Sequence, residues 1–534
     1  MTPLDALISS LSRRGVRRIF GVPGGETSLD AIAAAAARGI DFVLARHETG
    51  AALMALATAE VTGAPGVVLT TRGPGLANAV NGIACAALER APLCVVSDGF
   101  TADHRRFVSH QFFEHAAMLA PIAKGSSRLD EADAGAAVER LLDRAMAAPA
   151  GVVHFDVTGD AARRQVPPAE PAAPERAALD HEAVATARDL LARSVRPIVL
   201  CGLEAAGDPA LARAVRRFVE RTGCPALVTY KAKGVVADDD PAYVGLFTGG
   251  SLEAAVVAAA DLVLAVGLDP VELIPQPWRY AAPVVEIARR AFPLRYVEPA
   301  AGLHGDPAAA LAELAGAAGR SAWTVAEIAG FRQAMRARLA WTGDGALTPP
   351  AIVETAQAVA DELGLDARAT VDAGAHMFSA TALWRARRPR DLLISNGLST
   401  MGFALPAAIG AALAEPDRPV VAFTGDGGLA MGLGELATAV QAGARIVVVV
   451  FNDASLSLID IKQRHRQMRR DGVALGRADF AAVAAGLGMR AWRAAGPDEY
   501  RAALGAAFQG EGPALIDVAV SPDGYLDQML ALRG

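Results

Sequence analysis

The sequence contains few cysteines, and they form no recognisable metal-binding or disulfide pattern. Only four occur in 534 residues, and none belongs to a CxxC pair. All four lie in apolar surroundings: Cys85, Cys94, Cys201 and Cys224. We therefore expect reduced, buried thiols in a cytoplasmic protein and not a disulfide-stabilised secreted domain.

Long hydrophobic runs and an excess of basic residues are also missing. The most apolar stretch, residues 254–268, is interrupted by Asp261 and falls short of the roughly 18 residues that a membrane span needs. The first residues lack the basic and apolar regions of a signal peptide. Lys and Arg number 51 against 58 Asp and Glu, which gives a net charge of −7. Nucleic acids and anionic membranes bind basic faces, so we expect neither as a partner.

Two common phosphate-binding motifs are absent as well. No GxGxxG stands at a strand-to-helix turn, and no GxxxxGK[ST] occurs anywhere. These absences argue against a nicotinamide-dependent enzyme and against a P-loop nucleotide triphosphatase. The composition, 52% hydrophobic and 20% charged, is that of a globular protein, and the length is too great for one hydrophobic core.

Three segments of the chain alternate short β-branched runs with alanine-rich stretches. We predict strands at residues 18–21, 41–45, 66–71, 92–97, 197–201, 226–229, 261–266, 283–286, 369–372, 392–395, 419–424, 445–452 and 514–520. Helices are predicted at residues 29–37, 49–61, 76–88 and 325–339, among others. This alternation is typical of parallel sheets that are covered by helices on both faces.

Two breaks divide the chain into three units. Residues 163–180 contain four prolines and no helical period, and residues 342–350 form a second junction. We predict three doubly wound α/β domains at residues 1–165, 181–340 and 346–534. Ligands bind beyond the carboxyl ends of strands in such sheets, so the glycine-rich turns after strands, at residues 22–25 and 72–75, are candidate binding segments.

The most informative stretch follows two predicted strands of the last domain. One strand runs into Gly-Asp-Gly-Gly at residues 425–428, and the next strand ends in Asn452-Asp453. Glycines let backbone N–H groups approach an anion, and the positive end of the following helix points to the same place. Neighbouring parallel strands would bring Asp426 and Asp453 to one sheet edge, where two carboxylates suit Mg²⁺ bound together with phosphates. The alternative is that Asp426 is a turn or helix-cap residue.

The same tripeptide occurs a second time without this context. Gly343-Asp344-Gly345 follows no predicted strand, and the residue at the equivalent spacing from Asp344 is Val371, which cannot bind a metal. We interpret this copy as a loop.

With these blocks in place, the chain resembles the thiamine-diphosphate-dependent enzymes of the acetolactate synthase and 2-oxo-acid decarboxylase group. The resemblance implies that the Asp426 and Asp453 side chains and the Ser455 main-chain carbonyl hold Mg²⁺. It also implies two cofactor-binding domains around a Rossmann-like middle domain. The implied cofactor-binding residues are Gly24, Gly25, Glu48, Gly374, His376, Ser399, Met401, Asp426, Gly427, Gly428, Asp453, Ser455 and Leu458.

Three further blocks carry the resemblance through nearly the whole chain. Residues 44–51 are similar to the family's catalytic-glutamate segment, which Glu48 represents here. Residues 396–406 resemble the segment that bends the cofactor, in which Met401 would separate the two rings and the Ser399 carbonyl would accept from the 4′-amino group. Residues 372–377 resemble the diphosphate-contacting turn, although an alanine stands where a glutamine is often found.

The chemistry of the cofactor explains why a glutamate is needed. The thiazolium C2 proton is a very weak acid, so the cofactor uses its own 4′-imino nitrogen as the base. A carboxylic acid that hydrogen-bonds N1′ favours the imino form, and it does so best when burial raises its pKa. Glu48 follows a predicted strand and suits this role. The alternative is a first-turn glutamate that stabilises a helix N-terminus.

The segment at residues 109–114 bears on the type of enzyme. It aligns with the glutamine-bearing segment of the acetolactate synthases, so Gln111 is a candidate catalytic residue that holds a substrate carbonyl or carboxylate. The alternative is a loop amide in solvent. No His-His pair of the decarboxylases is present, and we interpret His110 and His115 as structural or surface histidines.

The resemblance to flavin-independent acetolactate synthases at residues 245–250 and 266–272 implies that no FAD is bound, although the middle domain could be a structural spacer.

The implied activity is Mg²⁺- and thiamine-diphosphate-dependent decarboxylation of a small, pyruvate-like 2-oxo acid, with carboligation of the resulting enamine to a second carbonyl. Simple decarboxylation to an aldehyde is one alternative, and a non-catalytic cofactor-binding regulatory subunit is another. The implied assembly is a homodimer or a dimer of dimers with active sites at the subunit interface.

Overall fold

A computed structural model gives the fold of the chain and describes residues 1–130, 133–167, 178–343 and 347–534. It contains three sheets, each of six parallel strands with helices between them. The predicted fold class is therefore confirmed. The predicted linker at residues 163–180, the boundary at residue 346 and the second Gly-Asp-Gly copy lie partly outside the described residues.

The N-terminal domain has the strand order β2-β1-β3-β4-β6-β5. Its strands are β1 (Arg18–Val22), β2 (Asp41–Leu44), β3 (Gly66–Thr70), β4 (Leu93–Asp98), β5 (Ala123–Arg128) and β6 (Val152–Val157). Its helices are α1 (Pro3–Arg13), α2 (Thr27–Ala36), α3 (Glu48–Thr62), α4 (Pro74–Leu88), α5 (His115–Leu119) and α6 (Ala134–Met146).

The middle domain has the strand order β12-β11-β10-β7-β8-β9, which runs outward in both directions from the β7–β10 pair. Its strands are β7 (Pro197–Cys201), β8 (Ala226–Val228), β9 (Tyr243–Leu246), β10 (Leu262–Val266), β11 (Val284–Ala288) and β12 (Ala301–His304). Its helices are α7 (His181–Arg193), α8 (Leu203–Gly207), α9 (Pro209–Thr222), α10 (Ala254–Ala258), α11 (Pro307–Ala317) and α12 (Val325–Arg338).

The C-terminal domain repeats the topology of the N-terminal one, with the order β14-β13-β15-β16-β18-β17. Its strands are β13 (Arg368–Val371), β14 (Leu392–Ile394), β15 (Val420–Gly425), β16 (Ile446–Asn452), β17 (Arg490–Ala494) and β18 (Ala514–Ala519). Its helices are α13 (Pro349–Glu362), α14 (Met377–Leu383), α15 (Ala404–Ala414), α16 (Asp426–Met431), α17 (Glu435–Gln441), α18 (Ser457–His465), α19 (Phe480–Gly486), α20 (Pro497–Gln509) and α21 (Tyr525–Arg533).

Every strand that the sequence predicts is present to within two residues, but five strands were not predicted: β5, β6, β9, β12 and β17. Four of these lie at sheet edges, where a strand needs no continuous apolar run because only one neighbour covers it. The fifth, β6, is central, and the polar residues His154 and Asp156 interrupt its apolar pattern. Both of these residues turn out to belong to a buried cluster.

The N-terminal and C-terminal domains share one hydrophobic core. Helix α3 packs along α15, and side chains from both domains form a single buried cluster. The helices approach closely because Gly410 has no side chain; a Cβ at this position would overlap the carbonyl of Met54. No helix in the described ranges is both long enough and apolar enough to cross a membrane.

A buried ion cluster joins all three domains. Lys231, in the turn after β8, contacts Glu60 on α3 and lies 3.1 Å from the carboxylate of Glu89. Its ammonium group also donates to the Ile394 carbonyl at the end of β14. Glu89 in turn accepts a hydrogen bond from the Gly397 N–H at 2.8 Å. The cluster thereby fixes the start of the segment that leads to Ser399 and Met401.

Candidate active site

The site at the C-terminal sheet is built by the register of two neighbouring strands. In the parallel pair β15–β16, Gly425 lies opposite Phe451, so Asp426 and Asn452 come next on the two strands. Helix α16 begins at Asp426, one residue after β15 ends. The structure therefore brings Asp426 and Asp453 to one sheet edge, as the spacing predicts.

The two carboxylates accept hydrogen bonds from backbone and hydroxyl donors, and one of their oxygens, on Asp426, has no hydrogen-bond partner within the described ranges. Asp426 Oδ1 accepts from the Gly427 N–H at 2.7 Å, while its Oδ2 is buried without a partner. Asp453 accepts from the Ser455 N–H at 3.1 Å and from Ser457 Oγ at 2.6 Å. An unpaired buried carboxylate oxygen is unfavourable unless something further binds it.

The electrostatics of the pair suit a bound cation. Burial raises the pKa of Asp453 to about 7; hydrogen bonds from Ser457 and Ser455 oppose the rise and the negative charge of Asp426 adds to it. Burial also raises the pKa of Asp426. A buried and a half-buried carboxylate that repel each other, with oxygen ligands only, fit Mg²⁺. The hydroxyl of Ser455, the third predicted ligand residue, is also buried without a partner.

A third aspartate, Asp372, ties the strand ends of this site together. It is fully buried at the end of β13, where it accepts from Thr424 Oγ1 at 2.9 Å and from the Phe403 N–H at 3.1 Å. Burial raises its pKa to about 6. A Cβ at Gly428 would overlap the Asp372 carboxylate, so this position requires glycine.

Gly427 lies under a group of apolar side chains that includes Met401. A Cβ at Gly427 would be 3.5 Å from Met401 Cε and 2.7 Å from Leu456 Cδ2. Ser399, two residues before Met401, has a left-handed backbone with φ of +53° and donates its hydroxyl to the Asn396 carbonyl at 3.1 Å. The structure therefore places the predicted ring-separating methionine above the Gly-Asp-Gly-Gly turn.

His376 lies beside the same turn. Its ring is buried against Phe451, with ring centroids 5.1 Å apart, and a Cβ on Gly374 would be 2.6 Å from its Cε1 atom. Burial lowers the pKa of His376 to about 4, and its Nε2 is buried without a partner. A nearby anion would favour protonation at Nε2, which fits a diphosphate neighbour. Leu458, by contrast, packs against the large hydrophobic core.

Glu48 begins helix α3 at the edge of the N-terminal sheet. The residue is 7% exposed, and its Oε2 accepts from Asn78 Nδ2 at 3.1 Å. The chain before it is fixed by Glu435 of the C-terminal domain, which accepts from the main-chain N–H groups of Arg46 and His47. The Glu48 carboxylate is thus buried at a helix N-terminus. Asn78 binds its Oε2 atom, and within the described residues its Oε1 atom has no hydrogen bond.

The remaining predicted residues lie at the same edge. Gly24 follows β1, and a Cβ there would overlap the Asp98 carboxylate, whereas Gly25 has open space around it. Gln111 is exposed in the loop between β4 and α5, with a left-handed backbone at φ of +54°. The main-chain carbonyl oxygen of Gln111 would be 2.5 Å from a Cβ on Gly73, so the loop packs directly against the turn after β3.

Comparison with known proteins decides the family. Models of the N-terminal binding domain, the central domain and the C-terminal binding domain of thiamine pyrophosphate enzymes match residues 1–118, 184–314 and 372–518. An acetolactate synthase of Bacillus subtilis (strain 168) is 31% identical over 97% of this chain and 92% of its own length. The chain belongs to the thiamine pyrophosphate enzyme family. It is a thiamine-diphosphate-dependent enzyme of the acetolactate synthase-like type.

Other relatives in the family carry different names. The catabolic acetolactate synthase of Raoultella terrigena is 31% identical over 99% of this chain and 96% of its own length. A probable 2-ketoarginine decarboxylase of Pseudomonas aeruginosa is 30% identical over 97% of this chain and 94% of its own length. Family membership thus covers enzymes named for carboligation and enzymes named for decarboxylation.

Three residues that shape the site in this family member are not among the site residues predicted from the sequence. Asp372 holds the Gly-Asp-Gly-Gly turn, Asn78 holds Glu48, and His115 is buried beside the Gly73 turn, which is the structural one of its two predicted alternatives. Asp372 could have been found, because it is the last residue of a predicted strand and the first of the block at residues 372–377. The other two act through partners that are distant in the sequence, so no local pattern indicates them.

Proposed function

We propose that the protein decarboxylates a small, pyruvate-like 2-oxo acid and joins the resulting two-carbon unit to a second carbonyl compound, with thiamine diphosphate and Mg²⁺ as cofactors. The observation that carries the proposal is the pair Asp426 and Asp453, a buried and a half-buried carboxylate that both have raised pKa values, with an unpaired oxygen on Asp426. The two similar acetolactate synthases favour carboligation.

Each cofactor would be held by a separate part of the site. Asp426, Asp453 and the Ser455 carbonyl would hold Mg²⁺, and Gly374, His376, Ser399, Met401, Gly427 and Gly428 would line the diphosphate and thiazolium positions. When bound, thiamine diphosphate supplies a carbon nucleophile and accommodates the negative charge that decarboxylation leaves. The protein's contribution is to orient the cofactor and to exclude water, for which the apolar cover of Met401 and Leu456 is suited.

Glu48 would hold a proton at the pyrimidine N1′ atom. The Glu48 side chain is buried, and Asn78 fixes one of its oxygens so that the other can face the ring. Gln111, exposed on the neighbouring loop, would donate its amide to a substrate oxygen.

The proposal includes no FAD. The β7–β10 pair is the point in the middle sheet from which strand order runs in opposite directions, and dinucleotides bind at such points. The loop after β7 is in direct contact with the loop after β10, because a Cβ on Gly202 would overlap Leu268. This contact supports a middle domain without a dinucleotide between these loops.

The proposed assembly is a homodimer or a dimer of dimers in which the two cofactor-binding edges of different subunits face each other. Both edges expose large apolar side chains: Leu44 and Phe107 at the N-terminal edge, and Met431, Ile459 and Leu475 at the C-terminal edge. Exposed apolar groups on two separate edges support burial against a second copy. The four buried, free cysteines support a cytoplasmic location.

Release of an aldehyde is the second candidate function, and the similar 2-ketoarginine decarboxylase favours it. The test is product analysis of the purified protein with pyruvate, thiamine diphosphate and Mg²⁺. Acetolactate is the expected product. Acetaldehyde alone would replace carboligation by simple decarboxylation, and no turnover would exclude pyruvate and call for a panel of other 2-oxo acids. The non-catalytic alternative predicts no turnover with any of them.

A further inference from the structure

Four polar side chains form a cluster at the carboxyl end of the N-terminal sheet. Ser97 lies on β4, His154 and Asp156 lie on the neighbouring β6, and His115 begins α5. Asp156 Oδ1 accepts from Ser97 Oγ at 2.7 Å and is 2.7 Å from His115 Nδ1. His154 Nε2 is 2.8 Å from Ser97 Oγ, and both histidines are buried.

Two imidazoles and a carboxylate within 4.8 Å of one another could hold a transition metal, but the hydrogen bonds of His115 argue against it. The Gly73 N–H donates to His115 Nε2 at 3.2 Å. A main-chain N–H can only donate, so Nε2 is the unprotonated nitrogen and Nδ1 of the neutral ring carries the proton. A protonated Nδ1 cannot bind a metal; it donates to Asp156 instead.

The turn that His115 holds supports the loop of Gln111. Gly73 has a left-handed backbone with φ of +57°, and the Gln111 carbonyl lies where a side chain at Gly73 would be. His115 is four residues after Gln111 in the sequence, and its ring also contacts Phe113, with centroids 5.1 Å apart. The hydrogen bond to Gly73 therefore fastens the end of this loop to the turn beneath it.

The same turn supports Glu48. Helix α4 begins at Pro74, directly after Gly73, and its first turn lies against the glutamate. A Cβ at Gly75 would be 3.2 Å from Glu48 Oε1, and Asn78, one turn further along α4, donates to Oε2. A rotation of the Gly73 peptide would thus shift the start of α4 and the surroundings of both Glu48 oxygens.

We propose that His115 is a positioning residue, which accepts from the Gly73 amide while Asp156 anchors its other nitrogen. In this arrangement Asp156 and His115 fix the turn at residues 72–75, and that turn sets the relative placement of Glu48 and Gln111. The inference rests on the proposed function of these two residues. It assigns His115 no contact with substrate or cofactor.

Two substitutions at His115 separate the two hydrogen bonds. In His115→Gln, the side-chain oxygen reaches the place of Nε2 and can still accept from Gly73, but the bond to Asp156 is lost. In His115→Asn, the amide reaches the place of Nδ1 and can still donate to Asp156, but nothing accepts from Gly73. Because a displacement of about 1 Å costs up to about a hundredfold in rate, we expect His115→Asn to lower kcat at least about tenfold and His115→Gln to lower it much less.

The readouts are chosen so that loss of stability alone does not give the expected pattern. Thermal unfolding should show both variants folded with similar midpoints, and hydrogen–deuterium exchange should be faster in a peptide covering residues 70–76 of His115→Asn only. Equal activity of the two variants, or a greater loss in His115→Gln, would overturn the proposal. If neither variant folds, exchange of the same peptide in the wild-type protein decides, since exchange as fast as in an exposed loop contradicts a fastened turn.

Failure of the proposed function would look different. If the wild-type protein turns over no 2-oxo acid, the kcat comparison cannot be made, but the exchange experiment still tests whether His115 fixes the turn. An exchange effect in His115→Asn without any 2-oxo acid activity would support the positioning of the turn and remove the assigned reaction.

Discussion

The N-terminal and C-terminal sheets have the same strand order, yet Asp156 and Asp453 at their carboxyl edges have opposite electrostatic environments. At the C-terminal edge, burial and mutual repulsion raise the pKa of Asp453, and Asp426 keeps an unpaired oxygen. At the N-terminal edge, burial would raise the pKa of Asp156, but hydrogen bonds from His115 and His154 hold it well below its usual range. The same fold therefore carries a pair of repelling aspartates at one edge and a single aspartate that accepts from several donors at the other.

This difference indicates which edge is suited to binding a cation. A carboxylate that its own chain already surrounds with donors gains little from a cation, whereas two carboxylates that repel each other gain much. The comparison also agrees with the separate roles that we propose for the two edges. The C-terminal edge binds the cofactor diphosphate through Mg²⁺, and the N-terminal edge provides one acid, Glu48, that holds a proton.

The largest effect is expected from Glu48→Gln. Glutamine keeps the size of the side chain and can still contact Asn78, but it cannot share a proton with the cofactor, so kcat should fall by at least about a hundredfold. Binding of thiamine diphosphate, measured by calorimetry, should change little because the C-terminal edge is intact. Unchanged turnover would show that the N-terminal edge supplies no essential acid.

A mixing experiment tests whether the two edges of one active site come from different subunits. At a Mg²⁺ concentration that just saturates the wild-type protein, Glu48→Gln and Asp426→Asn should each be nearly inactive alone. Reassociated one to one, they should form dimers in which one site carries neither substitution, and activity should return to about a quarter of the wild-type value for a twofold-symmetric dimer. No recovery on mixing, with hybrid dimers demonstrated, would place both edges of a site in one subunit.

Removal of divalent cations should have the next largest effect. Chelation should abolish turnover of the wild-type protein, and Mg²⁺ should restore it, because Asp426 and Asp453 repel each other without a cation. Asp426→Asn should raise the Mg²⁺ concentration for half-maximal activity by more than about tenfold, equivalent to ~1.4 kcal/mol. The matched substitution at the other edge, Asp156→Asn, should leave this concentration unchanged. An identical shift in both variants would contradict the contrast between the edges.

The two edges also differ in how far the sequence could predict them. The C-terminal edge was predictable because its parts are local: a buried strand, Gly-Asp-Gly-Gly, one helix and a second buried strand that ends in Asn452-Asp453. Parallel register then brings Asp426 and Asp453 together without further information. The three parallel-sheet units followed from the same alternation of strands and helices, whereas the strand order within each sheet was not predicted.

The N-terminal edge was only partly predictable because its contacts join distant segments. Asp156 lies on β6, which was missed since polar residues break its apolar pattern, and its partner His115 lies on a five-residue helix. Their meeting depends on the β4–β6 pairing, which places Ser97 opposite Asp156. Nothing near His115 in the sequence distinguishes a buried, hydrogen-bonded histidine from an exposed one.

A smaller effect is expected on stability in the absence of Mg²⁺ and cofactor. Asp453→Asn should leave the thermal midpoint unchanged or raise it, because it removes a repulsive charge and keeps the contact with Ser457. Asp156→Asn should destabilise the protein by about 1–3 kcal/mol, since three donors converge on Asp156. Unfolding in denaturant at neutral pH measures both changes.

The pH dependence of the Asp156 effect follows from the sign of its pKa shift. Hydrogen bonds lower the pKa of the folded carboxyl, so its stabilisation is present above the unfolded value of about 4 and is lost as the pH falls toward the folded value. The stability difference between the wild-type protein and Asp156→Asn should therefore shrink as the pH falls below about 4. A difference that grows on acidification would mean that Asp156 is not stabilised as a carboxylate.

The smallest effect on folding is expected at Gly25, and it is informative for that reason. Gly24 and Gly25 are adjacent, but a Cβ at Gly24 would overlap Asp98 whereas a Cβ at Gly25 meets no atom within 4 Å. Gly24→Ala should therefore destabilise the protein, and Gly25→Ala should change the free energy of unfolding by less than about 0.5 kcal/mol. If Gly25 faces the bound cofactor or substrate, Gly25→Ala should still raise KM or lower kcat. Full activity in Gly25→Ala would show that the open space beside this turn is not used by a ligand, and it would confine the ligand-binding role of the N-terminal edge to Glu48 and Gln111.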